Sequence, residues 1–410
     1  MGEEKKVAFN AEEAFKRQTF DGRKLENRVH LFTGQFQDLW QSPNEMAAAV
    51  RALGYDGIGD CTWGPTGIDV VKAVGNDGVE YLGGYIRALR ANNIGVSTLG
   101  DHLASQAIAS KVFTKGLVAI LPPDVRRGHS EADILHNPAI QEEIKLYAAL
   151  HVMNTARALE RFREVAKNVV GSELQGQRYN PTVVAGFTGS PIWHLLAGFP
   201  PVSIEEEVQM GYEEVAYRMA RVLDVMKNTG NRFGLETHPG EIAYDLSSAI
   251  ETNKKINRPE FGFNGDSSHS VGRGWNYLLY LTEIAKLGKL FSTHLKGAAE
   301  GTGDGSASVY NRLDHPFGDK NPFWDFKSIG RGTQDEGGVI YKLGEVGFKG
   351  AFEVEWEDAQ LDKIAGAKAS QLIVRGFVTG NEGLIKQGLR MYENPTNYKR
   401  AEFDAAFQRK

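Results

Sequence analysis

The chain has 410 residues, of which 41% are hydrophobic, so it is long enough to bury a large core. Its net charge of −5 argues against nucleic acid and anionic membranes as partners, since both need a concentrated basic face. The single cysteine, Cys61, excludes an intrachain disulfide and a cysteine-cluster metal site. No stretch has the length and apolarity of a signal peptide or a membrane span. We therefore expect a cytoplasmic protein that offers oxygen and imidazole ligands to any metal.

Strand-like runs alternate with amphipathic helical stretches along the chain, which is typical of a parallel α/β sheet. About eight strands are predicted, the number found in a closed (β/α)8 barrel. They are expected at 28–36, 56–63, 94–102, 181–189, 232–238, 261–266, 289–296 and 350–358. The sequence therefore predicts a single TIM barrel.

Helices are predicted between these strands from the spacing of apolar residues and from capping signals. They are expected from the cap signal at 42–44, near 78–93, over 138–170 as one long helix or two, and over 204–229. Ser203, with Glu206 three residues later, is predicted to form a capping box for the last of these.

The ends of the chain and one long connection fall outside the minimal barrel. The stretch 297–333 is rich in Gly, Ser and Asp and far longer than an ordinary connection, so we predict that it is an active-site loop. After the last strand, helices are expected near 359–377, 381–392 and 396–408. We therefore predict an N-terminal extension at 1–27, a barrel at 28–378 that includes the inserted loop, and a C-terminal helical tail at 379–410.

An acidic or imidazole side chain lies at the end of each of the last four predicted strands. These residues are Glu236, Asp266, His294 and Glu355. Because strand ends converge at one rim of a parallel barrel, the four side chains are expected to meet. Carboxylates with one imidazole suit a divalent cation such as Mn²⁺, Mg²⁺ or Co²⁺, and paired carboxylates beside a Lewis acid can move protons next to a sugar carbonyl. Taken singly, Glu236 also fits a helix cap, Asp266 a turn and His294 a core histidine.

Two of these strands carry further polar residues on the same face. His294 and Lys296 flank Leu295, and alternation in a strand places both on one side. Glutamates at 353, 355 and 357 alternate in the same way. Three like charges on one face cannot all enter a dry core, so at least one is expected to have a cation or a lysine as its partner.

Other candidates lie at the rim of the predicted barrel. Asp60 and Trp63 end the second strand, and Asp101 and His102 end the third, where substrate contact and a hydrogen-bonded structural role are both open. Aromatic rings after the fourth strand fit either sugar stacking or core packing, namely Phe187, Trp193 and His194. The glycines of GRGTQDEGG at 330–338 do not follow the strand-to-helix order of a dinucleotide fingerprint, so no nicotinamide site is predicted.

Four segments resemble successive signatures of the sugar phosphate isomerase/epimerase family, which belongs to the xylose isomerase-like TIM barrels. The segments are GLETHPGE, FNGDSSH, THLKG and the run from GRGTQDEGG to EVEWED, within a resemblance that covers about 28–375. It implies that Glu236, Asp266, His294 and Glu355 bind one divalent metal ion. We expect Mn²⁺, with Mg²⁺, Co²⁺ and Zn²⁺ as alternatives.

The resemblance also implies roles for individual residues. Glu236 and Glu355 would be the acid/base pair on opposite faces of the substrate. The residues expected to bind substrate are His269, Lys296 and, in a secondary role, His238, to which we add His102 and Trp63 from the rim. Gly265 and Ser267 depart from the bulkier residue and the proline that often flank the metal-binding aspartate, which indicates a different local loop.

These residues predict a divalent-metal-dependent sugar isomerase or epimerase that removes a proton beside a carbonyl and forms an enediolate. The alternative is a keto-glycoside lyase or deglycosidase of the same fold, which eliminates an aglycone from a 3-keto-sugar and is favoured by the long loop. A phosphodiesterase resembling endonuclease IV is less favoured, because the chain lacks a basic footprint. A non-catalytic sugar-binding barrel would leave the paired glutamates idle. A small carbohydrate substrate and a homo-oligomer are expected.

Overall fold

The computed structural model describes residues 9–196, 205–311, 314–319 and 321–393. Eight parallel strands form a closed barrel in chain order, and the last pairs with the first. The barrel strands are β1 (Val29–Phe32), β2 (Gly57–Cys61), β3 (Gly95–Gly100), β4 (Val183–Gly186), β5 (Arg232–Glu236), β6 (Phe261–Asp266), β7 (Leu290–Leu295) and β10 (Phe352–Val354). The predicted TIM barrel is confirmed.

Helices surround the barrel and fill most of the connections. In the first half they are α1 (Ala11–Lys16), α2 (Pro43–Leu53), α3 (Val70–Val74), α4 (Gly78–Ala91), α5 (His102–Ser105), α6 (Lys115–Ile120), α7 (Pro123–Arg126), α8 (Glu131–His136), α9 (Pro138–Val170) and α10 (Ser172–Arg178). In the second half they are α11 (Glu205–Asn228), α12 (Leu246–Ile256), α13 (Tyr277–Lys286), α14 (Glu336–Glu345), α15 (Lys363–Thr379) and α16 (Glu382–Met391). No helix in these described parts is long and apolar enough to cross a membrane.

The stretch 138–170, predicted as one long helix or two, forms the single continuous helix α9 of 33 residues. The side chain of Asn137 caps its N-terminus by accepting from the backbone N–H groups of Ala139 and Ile140, and Pro138 occupies the first turn, where its missing N–H costs nothing. The helix ends before Gly171, which has a φ of +83°. Its buried face packs against α3, α4 and α11, so α9 joins helices that precede β3 to the helix that follows β4.

The predicted loop at 297–333 contains two strands of its own. Strands β8 (Gly297–Glu300) and β9 (Trp324–Lys327) pair antiparallel in a separate two-stranded sheet. Their buried residues form a small apolar cluster, in which Ala298, Trp324 and Phe326 pack with partly buried neighbours such as Val271. The insertion is therefore a hairpin with its own packing, which holds aromatic side chains close to the barrel rim.

The segments that flank the barrel pack on it. Gln18, in the predicted N-terminal extension, accepts from the Gly337 N–H at 3.0 Å and donates to Glu336 Oε2 at 2.9 Å, so it secures the start of α14. At the other end α15 begins at Lys363, later than predicted, because the side chain of Asp362 caps it by accepting from the Ala365 N–H. The predicted helix at 396–408 and the serine of the predicted capping box at 203 lie outside the described residues.

The barrel interior contains a polar layer below the rim. Glu353 of β10 is 1% exposed, and its Oε2 accepts from Thr98 Oγ1 at 2.8 Å. Gly59 of β2 makes room for this carboxylate, because a Cβ at that position would collide with it. Burial raises the pKa of Glu353. This glutamate therefore occupies the barrel core, one layer below its neighbour at 355.

Candidate metal and active site

The hydrogen-bond register of the last strands brings the candidate side chains together. Glu236 lies opposite Asn264, and two residues further along β6 Asp266 lies opposite His294 of β7. Because alternate residues of a strand face the same side, both β6 residues face the barrel interior. The Glu355 N–H donates to the Leu295 carbonyl at 3.1 Å, which places this glutamate just past the end of the short strand β10.

The four predicted metal ligands form one compact buried cluster. One ligand atom from each of Glu236, Asp266, His294 and Glu355 lies within 4.8 Å of the others. His294 Nδ1 is 3.1 Å from Glu236 Oε2 and 3.3 Å from Glu355 Oε2. Three carboxylates and one imidazole form a donor set that suits a divalent cation.

Several polar atoms of this cluster lie close to charged groups but form no hydrogen bond of suitable geometry. Asp266 Oδ2 and both ring nitrogens of His294 are buried and have no hydrogen-bond partner within the described ranges. Buried polar groups are normally paired, and a cation coordinated by these atoms would satisfy them. The residues present therefore fit a divalent metal ion.

Lys296 links three of the carboxylates at the rim. Its Nζ donates to Glu355 Oε2 at 2.7 Å and to Glu357 Oε2 at 2.8 Å, and it lies 3.0 Å from Asp266 Oδ2. Burial alone would lower the pKa of Lys296, but the three carboxylates raise it well above its usual value. The ammonium group is therefore positively charged at neutral pH. Its charge offsets the repulsion between the carboxylates of Glu355 and Glu357.

Glu236 is surrounded by donors. Its Oε1 lies 2.9 Å from His269 Nε2, and its Oε2 accepts from Asn264 Nδ2 at 2.9 Å and lies 3.3 Å from His102 Nε2. Burial would raise the pKa of this carboxyl, yet the close imidazoles of His102, His269 and His294 hold it well below the usual value. The carboxylate is therefore ionised at neutral pH.

Glu355 has a comparable setting on the other side of the cluster. Its Oε1 accepts from Gln35 Nε2 at 2.7 Å, and its Oε2 is the atom bound by Lys296. Burial opposes ionisation, but Lys296 and His294 lower the pKa of Glu355 far below its ordinary value. Both predicted acid/base residues are thus carboxylates that can accept a proton.

His238 and its neighbours form one wall of the site. The rings of His238 and His269 are 4.1 Å apart, and Phe187 lies 4.9 Å from His238 and 4.8 Å from His102. Burial, together with the charge of His269, lowers the pKa of His238 to about 3, so this ring is neutral. Of the aromatic residues after strand four, Phe187 therefore lines the site.

Trp193 and His194 lie elsewhere. Trp193 is 39% exposed and packs edge-on against Tyr244 at 5.7 Å, and His194 is exposed beside it.

Trp63, in contrast, lies at the edge of the site. Its ring lies 6.0 Å from Phe32 and 6.3 Å from that of His102, and its indole N–H donates to the Gly34 carbonyl at 3.2 Å.

The acids that end β2 and follow β3 have structural partners. Asp60 accepts from Thr33 Oγ1 at 3.0 Å, from the Cys61 N–H at 2.9 Å and from the Tyr85 hydroxyl. Burial raises the pKa of Asp60 to about 6. Of the two roles left open for this residue, its contacts fit the structural one.

Asp101 is held in a similar way by a helix behind the barrel. It accepts from Thr155 Oγ1 of α9 at 2.8 Å, and its Oδ1 lies 3.5 Å from His151 Nε2. The same histidine binds Asp124 Oδ2 through Nδ1 at 2.7 Å. Asp101 therefore fixes α9 to the barrel, and its contacts also fit the structural role.

Three residues that touch the cluster were not predicted from the sequence. Asn264 shows a usable signal, because it alternates with Asp266 on one strand. Gln35 follows β1, 320 residues before its partner Glu355, and no local pattern connects them. Phe326 of β9 lies 4.5 Å from Lys296 Nζ and 5.8 Å from the ring of His269. The Gly, Ser and Asp content of the insertion predicts a loop and gives no sign of this contact.

Comparison with known proteins agrees with this architecture. Residues 182–393 match the family model described as xylose isomerase-like TIM barrel. A search of curated proteins gave no significant match.

Solved structures share the fold at low identity. A 3-keto-D-glucoside 4-epimerase, YcjR, from E. coli is 13% identical with a TM-score of 0.52, over 85% of this chain and 99% of its own. The probable 3-DHS dehydratase AsbF from Bacillus anthracis is 12% identical with a TM-score of 0.52, over 85% and 98%. A D-psicose 3-epimerase from Clostridium cellulolyticum H10 is 12% identical with a TM-score of 0.50, over 86% and 99%. Because the matched family model spans more than half of its length, the chain belongs to the xylose isomerase-like TIM barrels.

Proposed function

We propose that this protein is a divalent-metal-dependent sugar epimerase or isomerase that moves a proton at the carbon beside a carbonyl. The observation that carries the proposal is the convergence of Glu236, Asp266, His294 and Glu355 in one buried cluster at the barrel rim. Membership of the xylose isomerase-like family supports it, and two of the similar folds are sugar epimerases by name.

The same four residues are the proposed metal ligands. We favour Mn²⁺, with Mg²⁺, Co²⁺ and Zn²⁺ as alternatives, because carboxylate oxygens and one imidazole accommodate all of them. When bound, the metal would supply Lewis-acid polarisation of the substrate carbonyl, which makes the neighbouring C–H more acidic.

Glu236 and Glu355 are the proposed acid/base pair. Both carboxylates are ionised at neutral pH, which is the protonation state that a general base requires. Each also has its own donor, since His269 Nε2 lies 2.9 Å from Glu236 Oε1 and Lys296 Nζ lies 2.7 Å from Glu355 Oε2. Removal of the proton from the substrate carbon leaves that carbon planar. Return of a proton to its opposite face gives the epimer. Return of a proton at the adjacent carbon, with transfer of the hydroxyl proton to the former carbonyl oxygen, gives the isomer.

The remaining predicted residues would hold the sugar. His269, Lys296, His238 and His102 present ring and ammonium groups around the cluster, and Trp63 lies at its edge. All but Trp63 and His238 are at least nine-tenths buried, which keeps bulk water away from the proton being moved.

Isotope exchange tests this function directly. The protein loaded with Mn²⁺ is incubated with keto-sugars in D₂O, and deuterium is expected at a carbon next to the carbonyl. Glu236→Gln and Glu355→Gln should each suppress this exchange. Absence of exchange with every ketose and keto-glycoside tried, from protein shown to contain metal, would reject the proposal.

A keto-glycoside lyase is the second candidate. The hairpin insertion favours it, because Phe326 lies beside Lys296 and leaves the rim covered by aromatic side chains on that side. A lyase would release free aglycone from a 3-keto-glycoside without forming the epimer. Chromatography of the products separates the two reactions.

A further inference from the structure

A groove lies beside the metal cluster at the same rim of the barrel. It encloses about 280 Å³ and is lined by Gln35, Phe317, Phe326, Trp356, Glu357, Ala359 and Lys363. A second groove of about 480 Å³ shares Trp356, Ala359 and Lys363 with it, so the open surface continues outward from the barrel. We call the first of these the aromatic groove.

The aromatic groove borders the candidate active site. Glu357 accepts from Lys296 at 2.8 Å, and Gln35 donates to Glu355 at 2.7 Å. Phe326 lies 4.5 Å from the same lysine ammonium. Three lining residues thus touch the residues proposed to bind and convert the sugar, so a substrate larger than one sugar ring would extend into this groove.

The side chains of the groove favour a flat apolar group. Phe317 and Phe326 are stacked, with ring centroids 5.2 Å apart and an angle of 18° between planes, and Phe317 is 52% exposed. The indole N–H of Trp356 already donates to Ser328 Oγ at 3.1 Å, so this residue presents hydrocarbon to the groove. Aromatic rings bind other rings through burial of apolar area and offset stacking.

Both charged residues that line the groove have a partner of opposite sign. Glu357 Oε2 accepts from Lys296 Nζ at 2.8 Å. Lys363 Nζ donates to Asp38 Oδ1 at 2.6 Å and to the Gln35 carbonyl at 2.9 Å. Because each charge is balanced by its neighbour, the groove favours a neutral ring over a charged ligand.

We infer that the aromatic groove binds a neutral aromatic aglycone, and that the substrate is a glycoside whose keto-sugar ring occupies the metal cluster. This inference rests on the proposed function, since the sugar must first lie among Glu236, Lys296 and Glu355. It holds for epimerisation and for elimination alike, because the aglycone lies beside the reacting ring in either reaction.

Two ligands that differ only in the aglycone test the inference. Methyl and 4-nitrophenyl 3-keto-glucosides are compared on the Mn²⁺-loaded protein by calorimetric Kd and, where turnover occurs, by KM. The aryl compound is expected to bind about tenfold more tightly, which corresponds to about 1.4 kcal/mol. In Phe317→Ala this preference should fall to about twofold, and Phe317→Leu, which keeps apolar volume without a ring, should lie between.

Tyr310→Ala is the matched control. Tyr310 is 81% exposed in the same insertion and does not line the groove, so its removal should leave the preference for the aryl compound intact. Equal affinities for the two glucosides, or an aryl preference that survives Phe317→Ala, would overturn the inference. So would tighter binding of a 3-keto-disaccharide than of the aryl compound. Since calorimetry needs no turnover, failed deuterium exchange with a retained aryl preference would count against the proposed reaction alone.

Discussion

Two sets of buried acids lie at the same rim of the barrel and differ in their partners. Asp60 and Asp101, in the β2–β3 region, are held by hydroxyl groups, a backbone N–H and one histidine of α9. Burial raises the pKa of both. Glu236 and Glu355, at the end of β5 and just past β10, instead face each other across His294, and their cationic neighbours lower the pKa of each.

The difference indicates that a strand-end position alone does not separate a proposed catalytic acid from a structural one. A carboxyl held mainly by hydroxyl and backbone N–H groups, as at Asp60 and Asp101, stabilises the connection between strand and helix. Several carboxylates that share an imidazole and an ammonium group form a site for a cation. The two pairs of acids therefore differ in the groups that contact them more than in their place on the strands. The predictions below test this difference.

The largest expected effect concerns catalysis. Glu355→Gln should lower the rate of proton exchange by about 10³, since a positioned acid or base typically contributes 10²–10⁴. Asp60→Asn, at the structural acid, should leave this rate within about twofold of wild type. The rates are measured as deuterium incorporation with metal content determined in parallel. Comparable losses in both variants would contradict the division into two regions.

The pH dependence of stability should have opposite signs in the two regions. The pKa of Asp60 is about 6 in the folded protein, so its proton is held more tightly there than in the unfolded chain. Stability from this group is therefore present at low pH and is lost as pH rises from about 4 to about 6, by roughly 3 kcal/mol. Asp60→Asn cannot ionise and should lack this loss.

The measurement is the urea midpoint of wild type, Asp60→Asn and Glu236→Gln between about pH 2.5 and pH 7, with chelator present. For Glu236 the sign is reversed, because its folded pKa is lowered: its contribution is present at neutral pH and is lost as pH falls below the unfolded value of about 4.3. Glu236→Gln should therefore flatten the acidic part of the curve. Identical pH profiles for all three proteins would refute the assigned signs.

Metal binding should stabilise the protein through the cluster that contains Glu236 and Glu355, and not through Asp60 or Asp101. A ligand at 100 times its Kd adds about 2.7 kcal/mol to the free energy of unfolding. Added Mn²⁺ should thus raise the melting temperature relative to chelator-treated protein by several degrees. Asp266→Asn should remove this shift, whereas Asp101→Asn, which changes an acid outside the cluster, should keep it. A shift that persists in Asp266→Asn would place the metal elsewhere.

The smallest effect is expected at the aromatic edge. Trp63→Phe should raise KM about threefold with kcat unchanged, since it trims apolar contact area without touching the acid/base pair. Trp40 serves as the control, because it is 4% exposed and stacks on Phe36 at 5.7 Å. Trp40→Phe should lower the melting temperature and leave KM unchanged. A kcat effect at Trp63 would assign it a different role.

The strands could be predicted from the sequence because apolar runs and alternation are local signals. They located the last four strand ends well enough to name the cluster residues. The hairpin was predicted only as a loop, since GAAE at 297–300 has little strand propensity and WDFK at 324–327 is enclosed by turn residues. The domain boundaries and the homo-oligomer stay predictions.

The partners of the side chains could not be read from local patterns. Closure of the barrel brings Gln35 to Glu355 across 320 residues, and it brings Thr155 of α9 to Asp101. Such contacts depend on the shear of the whole sheet and on helix packing, which no window of sequence contains. For this reason the residue types of the site were predictable, whereas the structural roles of Asp60 and Asp101 were left open.

The packing of Gly59 against Glu353 inside the barrel has a consequence for how this sequence can diverge. No side chain fits at position 59 while the glutamate carboxylate occupies its place beside Thr98. A larger residue at position 59 therefore requires the Glu353 carboxylate to leave this place, either by a movement of the side chain or by a shorter residue at 353. Across homologues the two positions should covary, with any residue larger than glycine at 59 accompanied by a shortened side chain at 353. Such paired changes would report how the packing inside the barrel has changed among homologues, independently of the metal ligands above it.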